Sequence, residues 1–187
     1  MKSSLNVGQT GFIINSLKVY NNDCGRLAAR KFDAYTIHQN TQNGTVITDP
    51  LNYQRNGQPV TFTVKPNPGY KLVGNVTVTN NKTGRDVPIR NGNTFTMPDN
   101  DVTINATFEA ETYNITYNKP TGGSVSGQPN AKTDQTVTLN VSPEEGYKLK
   151  TLTVDEHNVT NDVENKQYTF TMPPKDVSVN ATFEKIQ

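Results

Sequence analysis

The stretch VTLNVSPEEGYKL at residues 137–149 restates VTFTVKPNPGYKL at residues 60–72. Two further stretches return in the same order: TFTMP at 94–98 recurs at 169–173, and VTINATFE at 102–109 returns as VSVNATFE at 177–184. All of these stretches are rich in β-branched, aromatic and turn-forming residues, which are typical of strands and tight turns. The repeat therefore indicates one fold that occurs twice, and its residue types do not by themselves indicate a chemical function.

The spacing of the repeat sets the domain organisation. A period of about 77 residues is too long for one rung of a solenoid, so each copy is expected to be a small domain. The chain of 187 residues then divides into an N-terminal arm at 1–33, a first module at 34–109 and a second module at 113–184. We refer to these two copies as module 1 and module 2.

Module 2 shows the strand pattern most clearly. Tyr113, Ile115 and Tyr117 alternate with polar residues, as expected for a strand with one buried face. Gly146 follows a run of alternating residues and predicts a turn with positive φ. Five or six such runs per module, separated by turn signals, predict a mainly β fold.

The segment 155–166 is the least regular part of module 2. Its polar residues predict a loop or a short strand, with Val159 and Val163 pointing inward. The spacing of the two valines also fits a helical turn, although β-branched residues disfavour it.

Composition excludes several classes of function. The net charge of +1 gives no global attraction to nucleic acid or to an anionic membrane, so neither is expected as a partner. No apolar stretch approaches a transmembrane length, and the N-terminus lacks the apolar core of a secretory signal. The chain as given is therefore not expected to be exported by its own N-terminus. Cys24 is the only cysteine, which excludes an intramolecular disulfide.

The arm at 1–33 matches neither copy and carries a net charge of +3, against −2 for the rest of the chain. An ordinary solvated arm and a docking segment for an acidic surface are both compatible with this charge. We predict that the arm anchors the modules to a protein assembly partner, through an apolar and a basic set of residues. These candidates are Phe12, Ile14, Leu17, Arg26, Arg30 and Lys31.

Candidates for catalysis and metal binding are few. His38 and His157 occupy unrelated positions in the two modules, and neither has an evident nucleophile and orienting group in register. The residues 99–101 (DND) offer oxygen ligands for calcium, but module 2 has Pro174 and Lys175 at the first two of these positions. The sequence therefore predicts no catalytic residue, no cofactor and no metal site.

The repeated tyrosines Tyr70 and Tyr147 allow two interpretations. Each follows a turn glycine, so each is expected to brace the turn against the core. The alternative is a surface aromatic that stacks on a sugar, as in an accessory carbohydrate-binding module.

The GYKL turn, the TFTMP segment and the VNATFE ending resemble the divergent internalin B-type repeat, also called the bacterial repeat domain. The resemblance covers about 34–109 and 113–184. It implies compact β-rich modules, β-grasp-like or sandwich-like, that occur in tandem on bacterial surface proteins and in some phage proteins. Members serve as spacers and adhesive modules without an established catalytic centre. Many have Trp after the GY turn, whereas this chain has no Trp.

These observations predict a non-enzymatic structural or binding protein that displays two β modules from a larger assembly. We expect a phage virion protein, decorating a capsid or forming part of a fibre, with a fragment of a bacterial cell-surface adhesin as the alternative. A host-surface protein or a glycan is the expected further partner.

Overall fold

The computed structural model describes residues 33–187, and short β-strands make up most of this range. The predicted mainly β fold is confirmed. The strands of module 1 are β1 (Ala34–Asn40), β2 (Gly44–Asp49), β3 (Tyr53–Arg55), β4 (Pro59–Pro66), β5 (Tyr70–Asn80), β6 (Ile89–Arg90), β7 (Thr94–Thr96) and β8 (Val102–Ala110).

Module 2 repeats this order with small changes. Its strands are β9 (Thr112–Tyr117), β10 (Gly123–Ser126), β11 (Asn130–Lys132), β12 (Thr136–Pro143), β13 (Tyr147–Val154), β14 (His157–Asn158), β15 (Gln167–Thr171) and β16 (Val177–Lys185). A single 3-10 turn, Thr160–Asp162, is the helical element in residues 33–187.

Each module contains two sheets. In module 1 the strand orders are β3-β1-β8-β5 and β2-β4-β7-β6, and in module 2 they are β11-β9-β16-β13-β14 and β10-β12-β15. The first and last strands of each module pair in parallel, β1 with β8 and β9 with β16, whereas the other pairings resolved along the described strands are antiparallel. Module 2, whose two sheets share one core, is therefore sandwich-like, and residues 33–187 contain no α-helix of the kind found in a β-grasp.

The core of module 2 lies between its two sheets. Leu152 comes from the five-stranded sheet, and Leu139 and Met172 come from the side of the three-stranded sheet; all three are fully buried in one apolar cluster. Strand alternation explains why the two leucines are buried, because the residues next to each of them along β12 and β13 are more exposed to solvent.

A glycine at the start of the second strand admits an aromatic ring in both modules. Gly44 lies against Phe108, and Gly123 lies against Phe183. A Cβ atom at either glycine would stand 2.6 to 2.8 Å from ring carbons, closer than van der Waals contact allows. The repeated phenylalanine of the closing strand therefore requires the repeated glycine.

Several local predictions can be compared with the structure. Gly146 adopts φ +78°, as predicted, and its counterpart Gly69 adopts φ +76°. Segment 155–166 contains both of the forms considered for it, the short strand β14 and the 3-10 turn, with Val159 8% exposed. A register shift lies in module 2, between Leu149 and Thr151. The bulge expected in module 1, from the one additional residue after its GYKL turn, stays a prediction.

Contacts between Cα atoms group the described chain into two compact units that do not follow the repeat. One unit comprises residues 33–40, Ile47–Thr63 and Thr77–Asn105. The other comprises Thr41–Val46, Val64–Val76 and Ala106–Gln187, so it contains module 2 together with three segments of module 1, the last of them residues 106–109. The domain boundaries predicted from the repeat remain predictions.

The burial of side chains in module 2 predicts that replacing a core leucine lowers the stability of the protein far more than replacing an exposed isoleucine. Leu152→Ala should lower the free energy of unfolding by about 2–5 kcal/mol, because it leaves a cavity in a packed core. Ile186→Ala, at a side chain that is 60% exposed, should change it by no more than about 0.5 kcal/mol. Urea unfolding of the full chain measures both, and an equal loss for the two variants would contradict the assigned core.

Candidate functional surfaces

A carboxylate fixes the parallel strand pair in both modules. Asp101 accepts a hydrogen bond at Oδ1 from the backbone N–H of Thr36, at 2.7 Å, and Asp176 accepts the same bond from Asn114, at 2.8 Å. Each aspartate directly precedes the closing strand, so its side chain reaches the neighbouring first strand. The sequence reasoning missed this role, although the aspartate directly precedes the repeated stretches VTINATFE at 102–109 and VSVNATFE at 177–184.

The calcium interpretation of residues 99–101 competes with this role. Asp101 uses its carboxylate on the strand backbone, and Asp99 accepts a hydrogen bond from the side chain of Asn100 at 3.0 Å. Within residues 33–187, no group of three or more His, Cys, Asp or Glu side chains is arranged to hold a metal ion. The carboxylate oxygens of Asp99 and Asp101 thus accept hydrogen bonds from groups of the protein itself.

The two histidines lie apart and in different environments. His38, on β1, has its Nε2 atom 3.8 Å from Asp101 Oδ2, and both side chains are about half exposed. His157 lies on β14, where the sequence predicted a polar loop, and its Nδ1 atom is 2.9 Å from the Asp155 carbonyl oxygen. Neither of these contacts supplies the nucleophile, base and orienting group that covalent catalysis requires.

The repeated tyrosines have different contacts. Tyr147 lies with its ring against Gly122, so that any Cβ at Gly122 would overlap the ring. Tyr70 instead donates a hydrogen bond from its hydroxyl to Asp134 Oδ2 at 2.7 Å. This bond raises the pKa of the Tyr70 hydroxyl, and burial and the charge of Asp134 act in the same direction. The Tyr147 ring thus contacts a turn, whereas Tyr70 is held through its hydroxyl, and the expected packing of both rings against the core stays a prediction.

Backbone bonds accompany the Tyr70 contact within the same compact unit. The Glu111 N–H donates to the Gly69 carbonyl at 2.8 Å, and the Thr133 N–H donates to the Glu111 carbonyl at 3.0 Å. A Cβ at Gly69 would collide with the side chains of Thr133 and Pro174, so glycine is required there by its neighbours as well as by its positive φ. The first of these bonds has a repeat in module 2, where the Ile186 N–H donates to the Gly146 carbonyl at 2.8 Å.

The carboxyl group of Asp155 has a pKa below its ordinary value. Burial raises this pKa, whereas a hydrogen bond from Lys175 at 2.8 Å and a bond from the Ser178 N–H lower it. The charges of Lys175 and His157 act in the same direction, so the net pKa lies below its ordinary value. The carboxylate therefore ties segment 155–166 to the turn that precedes β16.

An open groove of about 380 Å³ lies beside the end of β9. Tyr117 lines it but donates its hydroxyl to the Gln128 carbonyl at 2.8 Å, and burial raises the pKa of this hydroxyl. Asn118, also at the groove, binds both the N–H and the carbonyl of Ala181 through its side-chain amide. The side chains of Tyr117 and Asn118 are thus engaged by the backbone of module 2.

The predicted anchoring residues lie outside the described part of the chain. Residues 33–187 contain no helix of the length and apolarity needed to cross a membrane. The following residues, and Cys24, fall outside the described range: Phe12, Ile14, Leu17, Arg26, Arg30 and Lys31.

The fold and the repeated side-chain roles define a tandem β-repeat protein. The family model of the divergent InlB B-repeat domain matches residues 35–112 and again residues 113–187. The chain therefore belongs to the divergent InlB B-repeat family, as the resemblance implied. Neither a curated protein nor a solved structure matches the chain.

The hydrogen bond from the Thr36 N–H to the Asp101 carboxylate, which we call the strand latch, predicts a loss of stability when Asp101 is replaced. Asp99, two residues away, supplies the control. Asp101→Ala removes the acceptor of the Thr36 N–H and should lower the free energy of unfolding by about 1–2 kcal/mol. Asp99→Ala, which removes only a bond to the exposed Asn100 side chain, should change it by less than about 0.5 kcal/mol. Thermal or urea unfolding of the full chain measures the difference, and equal effects would show that the latch contributes nothing.

The lowered pKa of Asp155 predicts a pH-dependent contribution to stability. Its stabilisation should be complete above the unfolded value, about pH 3.9, and should disappear as the pH falls through the lower folded pKa. Asp155→Asn keeps a residue that tolerates the observed φ of +47° and should cost up to about 1 kcal/mol near pH 7.

Melting temperatures of wild type and Asp155→Asn, measured from neutral to strongly acidic pH, should converge at the acidic end. Lys175→Gln should remove part of the same pH-dependent difference, because Lys175 supplies the neighbouring cation. A loss of stability that is equal at every pH would contradict the electrostatic origin.

Proposed function

We propose that this chain is a non-enzymatic structural or binding protein that displays two β modules from a larger assembly. The observation that supports this most is that the repeated carboxylates, Asp101 and Asp176, both bind the backbone of a neighbouring strand. Features that recur in both modules thus maintain the fold. Family membership supports the same proposal, because this repeat family is generally non-catalytic.

Surface display is the location that we propose. InlB-type repeats occur in surface-associated bacterial proteins, which favours the bacterial cell surface, the alternative from the sequence. The virion surface, with the chain as a capsid decoration or fibre protein, is the finer location predicted from the sequence. Both locations place the modules outside and an attachment segment inward.

The proposed attachment segment is the arm at 1–33, and the proposed partner there is a capsid protein or another scaffold protein. The arm supplies both an apolar set and a basic set of side chains, which suits a protein surface with apolar and acidic parts. Further partners proposed for the displayed modules are a host-surface protein or a glycan. We propose no nucleic acid and no membrane as a partner.

Localisation in the producing organism tests this proposal. An antibody against module 2 should detect the chain in purified particles or in the cell-envelope fraction, and protease added from outside should remove the signal. Detection in particles supports the virion location, and detection in envelopes supports the cell surface. A signal confined to the protease-protected interior of cells would overturn surface display.

The anchoring role of the arm needs a separate test. Replacing Phe12, Ile14 and Leu17 together by Asp in the full chain should abolish recovery in the particulate fraction. Replacing Ser3, Ser4 and Ser16 by Asp introduces the same charge in the same arm and should leave recovery intact. Circular dichroism checks that the β modules stay folded in both variants. Undiminished recovery of the first variant would contradict anchoring through these residues.

A further inference from the structure

The two GYKL turns have the same backbone but send their tyrosines to different places. In each turn the tyrosine N–H donates to the carbonyl of the residue three positions earlier, at 3.0 Å. The ring of Tyr147 nevertheless lies on Gly122, in its own module, whereas the hydroxyl of Tyr70 binds Asp134, in the other module. The cause of this difference must therefore lie outside the turn itself.

The residue before the second strand of each module accounts for the difference. Gly122 and Asn43 are counterparts, because the carbonyl of each accepts a backbone bond of 3.0 Å from the residue three positions before the tyrosine. A Cβ at Gly122 would overlap the ring of Tyr147. Asn43 has a Cβ, so it excludes Tyr70 from the corresponding position. Burial agrees with this explanation, since Gly122 is buried and Asn43 is exposed.

Module 2 receives Tyr70 at a residue that the fold itself does not select. Asp134 and Gly57 are counterparts, because the N–H of each donates to the carbonyl of the repeated methionine, Met172 or Met97, at 3.0 and 2.8 Å. Both adopt positive φ, +64° for Asp134 and +76° for Gly57. Glycine takes this conformation freely, whereas a residue with a side chain is strained in it. The backbone therefore favours glycine here, and the bond to Tyr70 explains the carboxylate.

The glycine before each tyrosine differs in its surroundings as well. A Cβ at Gly69 would overlap the side chains of Thr133 and Pro174, whereas a Cβ at Gly146 would meet no other described residue within 4 Å. Gly69 is accordingly half-buried, and Gly146 is exposed. Residues of module 2 thus cover the turn of module 1, while the matching side of the module 2 turn is open within the described part of the chain.

Backbone bonds continue the contact from the turn of module 1 to the residue beside Asp134. The Gly69 carbonyl accepts from the Glu111 N–H, and the Glu111 carbonyl accepts from the N–H of Thr133, which is only 6% exposed. All of these residues lie in one compact unit, the one that contains module 2. One side-chain bond and two backbone bonds therefore hold this turn on module 2.

We propose that the residue before the second strand, at position 43 or 122, selects between two states of the GYKL turn. Glycine there lets the tyrosine close on its own module, and a residue with a Cβ directs the tyrosine to the next module along the chain. Asn43 directs Tyr70 to Asp134, so module 2 stabilises this turn of module 1. Gly122 lets Tyr147 close on module 2 itself. The proposal concerns how one module is joined to the next, and it does not depend on the proposed function.

Hydrogen–deuterium exchange of the full chain, followed at single amides by NMR, tests the contact. Tyr70→Phe removes only the hydroxyl that donates to Asp134. Amide exchange at positions 70 and 111 should become about 3- to 10-fold faster, because the turn loses a hydrogen bond to a charged group. Exchange at Tyr147 and Ile186, whose N–H groups make the same bonds in module 2, should not change. Unchanged exchange at both module 1 amides would overturn the proposal.

Further variants make the exchange experiment specific to the Tyr70–Asp134 bond. Tyr147→Phe keeps its ring and should leave exchange at positions 70 and 111 unchanged. Asp134→Gly introduces the residue that module 1 carries as Gly57, and it should accelerate exchange as Tyr70→Phe does. The double variant should exchange no faster than either single variant, because both changes remove the same bond. Accelerations that multiply in the double variant would contradict a direct bond.

Titration of the tyrosine phenols, observed by NMR in the full chain labelled with ¹³C-tyrosine, tests the selecting role of position 43. The hydrogen bond to Asp134 raises the pKa of the Tyr70 phenol, so Asp134→Gly should lower this pKa towards its ordinary value. Asn43→Gly opens the position that Tyr147 occupies in module 2. Tyr70 should then divide between two positions, and the pKa of its phenol should fall as well. An unchanged Tyr70 pKa in Asn43→Gly would overturn the selecting role.

Gly122→Ala tests the same role in module 2. The added Cβ overlaps the Tyr147 ring, so it should displace the ring and lower the melting temperature of the full chain. Gly146→Ala is the matched control, because its φ of +78° is close to the +84° of Gly122 and its Cβ meets no other described residue within 4 Å. Gly122→Ala should lower the melting temperature by about 2–8 °C more than the control does. Equal losses would overturn the closed state of the module 2 turn.

Discussion

The parallel pairing of the first and last strands is the constraint on which each module depends. Parallel neighbours cannot be joined by a tight turn, so the whole remainder of the module becomes the connection between them. That connection forms the second sheet and supplies the other half of the core in module 2. Asp101 and Asp176 fix the pair by binding the first strand at its backbone. The carboxylate therefore acts on the one pairing that no local turn can set.

The same constraint explains why polar side chains of this protein bind the backbone groups of distant strands. A strand paired far along the sequence needs its backbone groups satisfied by residues that are distant in the chain, and side-chain amides and carboxylates meet that need. Asn118 binds both backbone groups of Ala181, and Asp155 receives the N–H of Ser178. Side chains committed in this way are poorly placed for catalysis, because they must stay where the fold holds them. Function is then left to surfaces that the fold does not require.

The sequence predicted the parts of the fold that local chemistry determines. Strand alternation places Ile115 inside, and the glycine of each GYKL turn adopts the positive φ that its position predicts. It did not predict contacts between residues about 60 positions apart. The role of Asp101 was not predicted, because a carboxylate in an Asp-rich turn has the same composition whether it binds a strand backbone or a metal ion. The exposure of Tyr53 was also not predicted, because the alternating residue pattern does not tell a strand at the edge of a sheet from a strand within it.

Because the chain contains two copies of one fold, residues at matching positions in the two modules can be compared. The comparison identifies surface residues of module 1 that the fold does not require. When two copies share a fold, a residue type found in both is explained by that fold, and a residue type found in one is explained by something else or by drift. Drift from polar to apolar at a single exposed site is common and without consequence. Three such differences within residues 47–53, at Ile47, Leu51 and Tyr53, are harder to attribute to drift, because each adds exposed apolar surface to the same short segment. The difference between the modules thus separates surface residues that the fold requires from surface residues that it does not require.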